Sequence, residues 1–268
     1  MKDKVVVITG ASSGIGKALA HEFGMHGARV LITGRNPEAL QKTLEELKRD
    51  KINVHAFQGD VSREEDNRKM AEEALRVFGR IDVLINNAGI SMRALFEEVD
   101  LDVIRKVMDT NFLGTVYATK YCLPEILRSR GIVVGISSVA GYRGLPARTG
   151  YSASKFAMNG FLESLRTELL HTGVNVLTAC PGFTSSNIRS RALIKDGSGQ
   201  GQSPRNESKE MSAEVCAQYI YQATVKRKKR LILTRQGKLA VLLNKWWPSL
   251  ADKLVYQVMS KESHSPIK

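Results

Sequence analysis

A chain of 268 residues is ample for one α/β core and slightly long for a minimal one, and it shows no domain linker and no repeat beyond alternating strands and helices. Its three scattered cysteines, Cys122, Cys180 and Cys216, exclude a disulfide framework, give no metal pattern and fit a reducing compartment. No stretch of eighteen uninterrupted apolar residues argues for a spanning helix. The net charge of +13 is concentrated in residues 226–268, where eleven basic residues face only Asp252 and Glu262. The body is thus nearly neutral, nucleic-acid binding would rest on the tail alone, and no nucleic-acid module accompanies it.

Met1 to Lys4 leads straight into Val5–Thr9, a β-branched apolar run of the kind buried on both faces of a parallel sheet, so neither a signal peptide nor an N-terminal anchor is expected. Gly10, Ala11, Ser12, Ser13, Gly14, Ile15 and Gly16 follow at once, and then a helix from about Lys17 to His26. Strand, glycine-rich turn and helix N-terminus build an anion site, because glycines admit a pyrophosphate close to the backbone and free helix N–H groups attract it. The spacing G-x-x-x-G-x-G is a variant of a dinucleotide fingerprint.

The second strand, Ala28–Thr33, leads into Gly34, Arg35 and Asn36. A site for NAD usually places an acid there for the ribose hydroxyls. Gly34 holds that place, and the Arg35 guanidinium can grip a 2′-phosphate, which favours NADP(H) over NAD(H) against the plainer reading of a solvent-exposed loop arginine. Ser12, Ser13 and Asn36 can add hydrogen bonds to that phosphate. Asn36-Pro37 also opens a helix to about Asp50. The third strand, Asn53–Gln58, closes at Gly59-Asp60-Val61, where Asp60 either accepts from an adenine amine or caps a turn.

Ser62 with Glu65 reads as a capping box opening a helix to about Phe78. The fourth strand, Asp82–Asn86, ends in Asn87-Ala88-Gly89, small residues suited to a close approach of a cofactor. From Asp100 a long helical pattern runs through Asn111, which is either a tolerated interior residue or a water holder in a distorted turn. The fifth strand, Ile132–Ile136, delivers Ser137 and Ser138. The sixth, Val174–Ala179, runs into Cys180-Pro181-Gly182, and Leu231–Thr234 is the seventh. Between them Tyr151 and Lys155 stand four residues apart, on one face of a helix. A nearby ammonium stabilises a phenolate, so Lys155 can make Tyr151 a usable acid/base, with Ser138 holding the reacting oxygen. Such a pair also arises by chance on solvated helices, but the interesting residues all follow predicted strands, the side on which open parallel sheets bind ligands.

Together these motifs resemble the short-chain dehydrogenase/reductase family over about residues 4–235. Thr9 to Gly16 resembles its cofactor turn, Asn86 to Gly89 its N-N-A-G signature, Asn111, Ser138, Tyr151 and Lys155 its catalytic tetrad, and Pro181-Gly182 its nicotinamide-side turn. The resemblance implies a single-domain Rossmann fold, a doubly wound seven-stranded parallel sheet of order 3-2-1-4-5-6-7 with helices on both faces. It further implies homodimers or homotetramers, a small-molecule carbonyl or alcohol substrate, and a cytoplasmic oxidoreductase that needs no metal. Cofactor contacts are then expected at the glycine turn, Arg35, Asn36, Asp60, Val61, Asn87, Ala88, Gly89, Tyr151, Lys155, Pro181, Gly182 and Thr184. Asn111 would hold a water beside Lys155, and a proton relay would run from Tyr151 to solvent.

Residues 184–212 are expected to form a substrate lid, polar and glycine-rich between Lys195 and Pro204, with Met92, Leu95, Phe96, Tyr142, Leu145, Phe183 and Ile188 as candidate apolar walls. Residues 236–268 form a basic extension in which Leu239, Leu242, Leu243, Trp246, Leu250, Leu254 and Val258 recur at helical spacing, broken at Pro248. Two short amphipathic helices follow, packing on the body or a subunit, or resting peripherally on an anionic membrane. With this tail the chain is similar to the 7B-type branch of the family, whose animal members are membrane-associated. The expected activity is NADP(H)-dependent reduction of a carbonyl on a small or lipid-like substrate. Alternatives are a 3-oxoacyl carrier-protein reductase and a non-enzymatic NADP(H) sensor or membrane-associated scaffold.

Overall fold

In the computed structural model, which describes residues 1–205 and 210–267, the apolar runs become seven parallel strands. These are β1 (Val5–Ile8), β2 (Arg29–Gly34), β3 (Val54–Gln58), β4 (Val83–Asn86), β5 (Ile132–Ile136), β6 (Asn175–Cys180) and β7 (Arg230–Ile232), in the expected order β3-β2-β1-β4-β5-β6-β7. Parallel neighbours require crossovers, and helices provide them. Alternate side chains of each strand enter opposite cores. Val6 and Ile8 pack under α1 (Gly14–Met25), α2 (Pro37–Arg49) and α7 (Ala213–Val225). Val7 packs under α3 (Glu64–Phe78), α5 (Gly114–Ser129) and α6 (Thr149–Glu168). The strand order reverses between β1 and β4, which opens a crevice beyond their carboxyl ends.

Two local expectations change. The long helix from Asp100 is α4 (Leu101–Met108) joined to α5 through a π-helical turn, Asp109–Leu113, that contains Asn111. The capping box at Ser62 does not form. Arg63 is the N-cap of α3, while the Ser62 hydroxyl donates to Asp60 Oδ1 at 2.8 Å, because that nearer carboxylate already shapes the turn. Asn36 does cap α2, with Oδ1 accepting from Ala39 N at 2.7 Å.

The tail forms α8 (Arg235–Trp246) and α9 (Pro248–Ser260), broken at Pro248 as expected, and it packs on the body. Asn244 Nδ2 donates to Tyr142 O at 2.9 Å, Arg143 donates back to Asn244 Oδ1 at 2.9 Å, and Arg143 pairs with Asp252 at 2.5 Å. Within the expected lid, residues 206–209 lie outside the described residues. Leu193 pairs with Met92 and Gly199 in isolated bridges, and Thr184 with Met211.

Candidate active site

A cleft of about 1060 Å3 lies across the carboxyl ends of the strands. Its floor begins with the glycine turn. Gly10 has φ +64°, and a side chain there would put Cβ 2.7 Å from Ala88 Cα, while one at Gly16 would meet Gly10 O at 2.4 Å. The turn is stitched to the end of β4. Asn87 Nδ2 donates to Thr9 O at 2.9 Å and Gly10 O at 3.0 Å, and the amides of Asn87 and Ala88 both donate to Thr9 Oγ1 at 3.0 Å. Ser13, the N-cap of α1, makes no side-chain cap, so no hydroxyl competes for the first N–H groups of that helix.

The crevice is also lined by Ser12, Ser13, Gly14, Ile15, Arg35, Asp60, Val61, Gly89, Ser138, Tyr151, Lys155, Pro181, Gly182 and Thr184, so nearly all the expected residues converge there. Asn36 and Asn111 do not line it. Asn36 caps α2 through its Oδ1, which leaves its Nδ2 as a donor. Asp60 caps its own turn, with Oδ1 accepting from Ser62 N at 3.0 Å, while Oδ2 stands 3.8 Å from Arg35.

Asn111 is fully buried beneath the floor. Its Oδ1 accepts from Ile90 N at 2.8 Å, and its Nδ2 donates to Ile90 O and Ser154 Oγ, both at 2.9 Å. The side chain therefore ties the chain beyond β4 to α6. A Cβ at Gly89 would press on Asn111 Oδ1 at 3.2 Å and touch Lys155 Nζ at 3.6 Å.

Lys155 is 3% exposed and donates to Ile136 O at 2.9 Å, and burial lowers its ammonium to about 8. Burial pushes the Tyr151 phenol above its ordinary value, opposed by a hydrogen bond with Ser138 and by the Arg148 and Arg189 charges. In the chain alone the groups that lower Tyr151 most are Ser138, Arg148 and Arg189 rather than Lys155. The lysine turns to Ile136 O, and its Nζ stands 5.9 Å from the phenol ring centre.

The apolar wall also needs correcting. Leu145, Phe183 and Ile188 line the cleft, but Met92 is buried in a small core with Val103 and Val107, and Phe96 is 66% exposed. The missing wall comes from the tail, with Leu239 and Leu243 of α8 and a row of residues from α9. Their helical spacing was legible in the sequence, but the surface they cover was not. Two arginine–glutamate clusters at this end, Arg148 with Glu262 and Arg189 with Glu210, had only one sequence signal: Glu262 is one of two acids in a basic tail.

A doubly wound sheet with a glycine turn at its switch point defines a dinucleotide-binding α/β protein. The family model for the short chain dehydrogenase matches residues 4–196. Dehydrogenase/reductase SDR family member 7B of Rattus norvegicus is 36% identical, with 100% of this chain and 84% of that protein covered. A family protein 7-like of Drosophila melanogaster is 36% identical over 92% of this chain and 78% of its own. A crystal structure of a short chain dehydrogenase/reductase from Burkholderia phymatum in complex with NAD has a TM-score of 0.83 at 26% identity, covering 93% of this chain and 95% of that one. The chain belongs to the short-chain dehydrogenase/reductase family of nicotinamide-dependent oxidoreductases, in the branch similar to family member 7B.

Proposed function

We propose that the protein uses NADP(H) to reduce a carbonyl on a small or lipid-like substrate, with Tyr151 as the proton donor. The observation that carries this reading is the meeting of Ser138, Tyr151 and Lys155 at the carboxyl end of β5, in the same cleft as the glycine turn and under an apolar wall. The residues suit a dinucleotide. The backbone at Gly10 and Gly16 leaves no room for side chains, the start of α1 is free of a side-chain cap, and Arg35 projects into the cleft where an NAD site would carry an acid.

Ser12, Ser13 and Arg35 would hold the phosphates, Lys155 the nicotinamide ribose, and Pro181, Gly182 and Thr184 the nicotinamide side. When bound, the cofactor supplies the hydride that adds to the carbonyl carbon. The chain's own residues do the rest. Ser138 orients the carbonyl oxygen by a hydrogen bond, and Tyr151 gives that oxygen a proton, leaving an alcohol. Asn111 supports both sides by fixing the chain beyond Gly89 to α6. NADPH and NADH oxidation should be followed against long-chain, steroid-like and 3-oxoacyl ketones. Turnover that prefers NADPH and is lost in Tyr151→Phe, with NADPH still bound, is expected. Near-normal turnover in that variant would overturn the mechanism.

A second reading concerns the tail. Trp246 and Trp247 are 62% and 59% exposed beside Leu242 and Leu250, and Lys238, Lys245 and Lys253 interleave with them. This supports peripheral attachment to an anionic membrane from the cytoplasmic side. Co-sedimentation with phosphatidylserine vesicles should fall when both tryptophans are changed to serine, and equal pelleting of both proteins would remove the idea.

A further inference from the structure

The wall of the cleft opposite the catalytic residues is one face of α9. Ala251, Leu254, Val255, Val258, Met259 and Glu262 recur every three or four residues and all line the cavity. Leu254 and Val258 remain 40% and 50% exposed, so this apolar stripe is not absorbed by a core of its own.

The helix is fastened at its end. Glu262 is buried, and its Oε2 accepts from Arg148 Nη2 at 2.7 Å and stands 3.7 Å from Arg93 Nη2. Its Oε1 lies 3.5 Å from Arg205 Nη1. The next residue repeats the attachment, since Ser263 O accepts from Arg93 Nη2 at 2.8 Å and Ser263 N donates to Pro204 O at 3.2 Å.

Those arginines come from three separate places. Arg93 follows β4. Arg148 is the N-cap of α6, three residues before Tyr151, and its carbonyl accepts from Ser152 N at 2.8 Å. Arg205 belongs to the 184–212 segment, and its guanidinium lies 3.8 Å over the Phe183 ring, which also lines the cleft. One carboxylate thus joins the tail, the segment over the substrate and the start of the catalytic helix. Removing its charge would leave Arg93 and Arg148 buried beside each other with no acid in contact among the described residues.

We propose that α9 is a specificity-determining wall and Glu262 the positioning residue that fastens it, so that the C-terminal segment sets which carbonyl substrates reach Tyr151. This rests on the reductase reading above. The test compares wild type, Glu262→Gln, Glu262→Asp and Leu254→Ala with a long-chain and a short ketone, with NADPH affinity read separately by fluorescence and α9 protection by amide exchange. In Glu262→Gln, KM for the long ketone should rise about tenfold with kcat nearly kept and NADPH affinity within about twofold. Amide protection in α9 should fall, and Glu262→Asp should recover part of both effects.

Leu254→Ala leaves the fastening intact and should change the long-to-short ratio of kcat/KM by about threefold or more. Equal losses on both ketones, or an unchanged ratio in Leu254→Ala, would overturn the specificity role. Unchanged protection of α9 in Glu262→Gln would overturn the fastening. If wild type binds NADPH and reduces neither ketone, the reductase reading fails and the specificity role with it, while the exchange experiment still decides the fastening.

Discussion

Lys155 is the best place to test whether burial in this site works against stability. Its ammonium is held at about 8 against an ordinary 10.5, with burial as the cause. That gap corresponds to about 3 kcal/mol of destabilisation carried by the folded state while the lysine is charged in both states. Below pH 8 the whole penalty is present. Between 8 and 10.5 the unfolded chain holds a proton that the folded chain has released, so stability rises with pH, and above 10.5 the penalty is gone. Lys155→Met has no proton to lose. On this ground it should exceed wild type by about 3 kcal/mol at pH 7, and the excess should shrink to below about 1 kcal/mol at pH 10. Loss of the bond to Ile136 O subtracts about 1–3 kcal/mol, so the change with pH is the measure and not the absolute difference. Urea unfolding of both proteins at pH 7, 8, 9 and 10 gives it directly. Two stability curves that run parallel across that range would refute the reasoning.

Other perturbations follow from single contacts. Arg35→Ser should weaken NADPH binding by about 10- to 100-fold, the worth of a charge-assisted bond to a phosphate, with NADH binding little changed in a direct titration. Gly10→Ala places a side chain at φ +64° and 2.7 Å from Ala88 Cα, and should lower stability by about 1–3 kcal/mol in denaturant unfolding and abolish dinucleotide binding. Burial pushes the Asp82 carboxyl up, but the Val5 N–H, Arg80 and Lys4 outweigh it and hold it below its ordinary value. Asp82→Asn should therefore cost about 2 kcal/mol at pH 7. That difference should shrink only as pH falls below the ordinary 3.8 toward the folded carboxyl's lower value, which is read by unfolding in that acid range.

The inner sheet was readable because strands such as β1, β4 and β5 are short, largely β-branched runs buried on both faces. Residues 5–8, 83–86 and 132–136 needed no tertiary information. The cofactor turn was readable from its glycines, since a Cβ at Gly10 would meet the backbone of Ala88 and one at Gly16 the backbone carbonyl of Gly10. What escaped depends on competition between partners. Ser62 was read as a cap, but Asp60, two residues away, takes its hydroxyl. The tail's helices were visible as a period, yet which body surface they cover is set by Arg143, Arg148 and Arg205, far away in sequence.

The same burial bears on the two directions of the proposed reaction. It moves Tyr151 above its ordinary value and Lys155 below, each toward its neutral form. A neutral phenol can give a proton to a forming alkoxide, whereas alcohol oxidation must begin with a phenolate that takes one. With Tyr151 shifted upward, the free protein presents the donor form throughout the neutral range, which suits the proposed reduction. The two directions should then part in their pH profiles. In the free enzyme, kcat/KM for ketone reduction should stay level from pH 6 to about 8, while kcat/KM for alcohol oxidation should climb by up to tenfold for each pH unit across that range. Oxidation that is already maximal at pH 6 would mean that Tyr151 is ionised there. The donor-form tyrosine of the free protein, and with it the proposed reduction, would then be wrong.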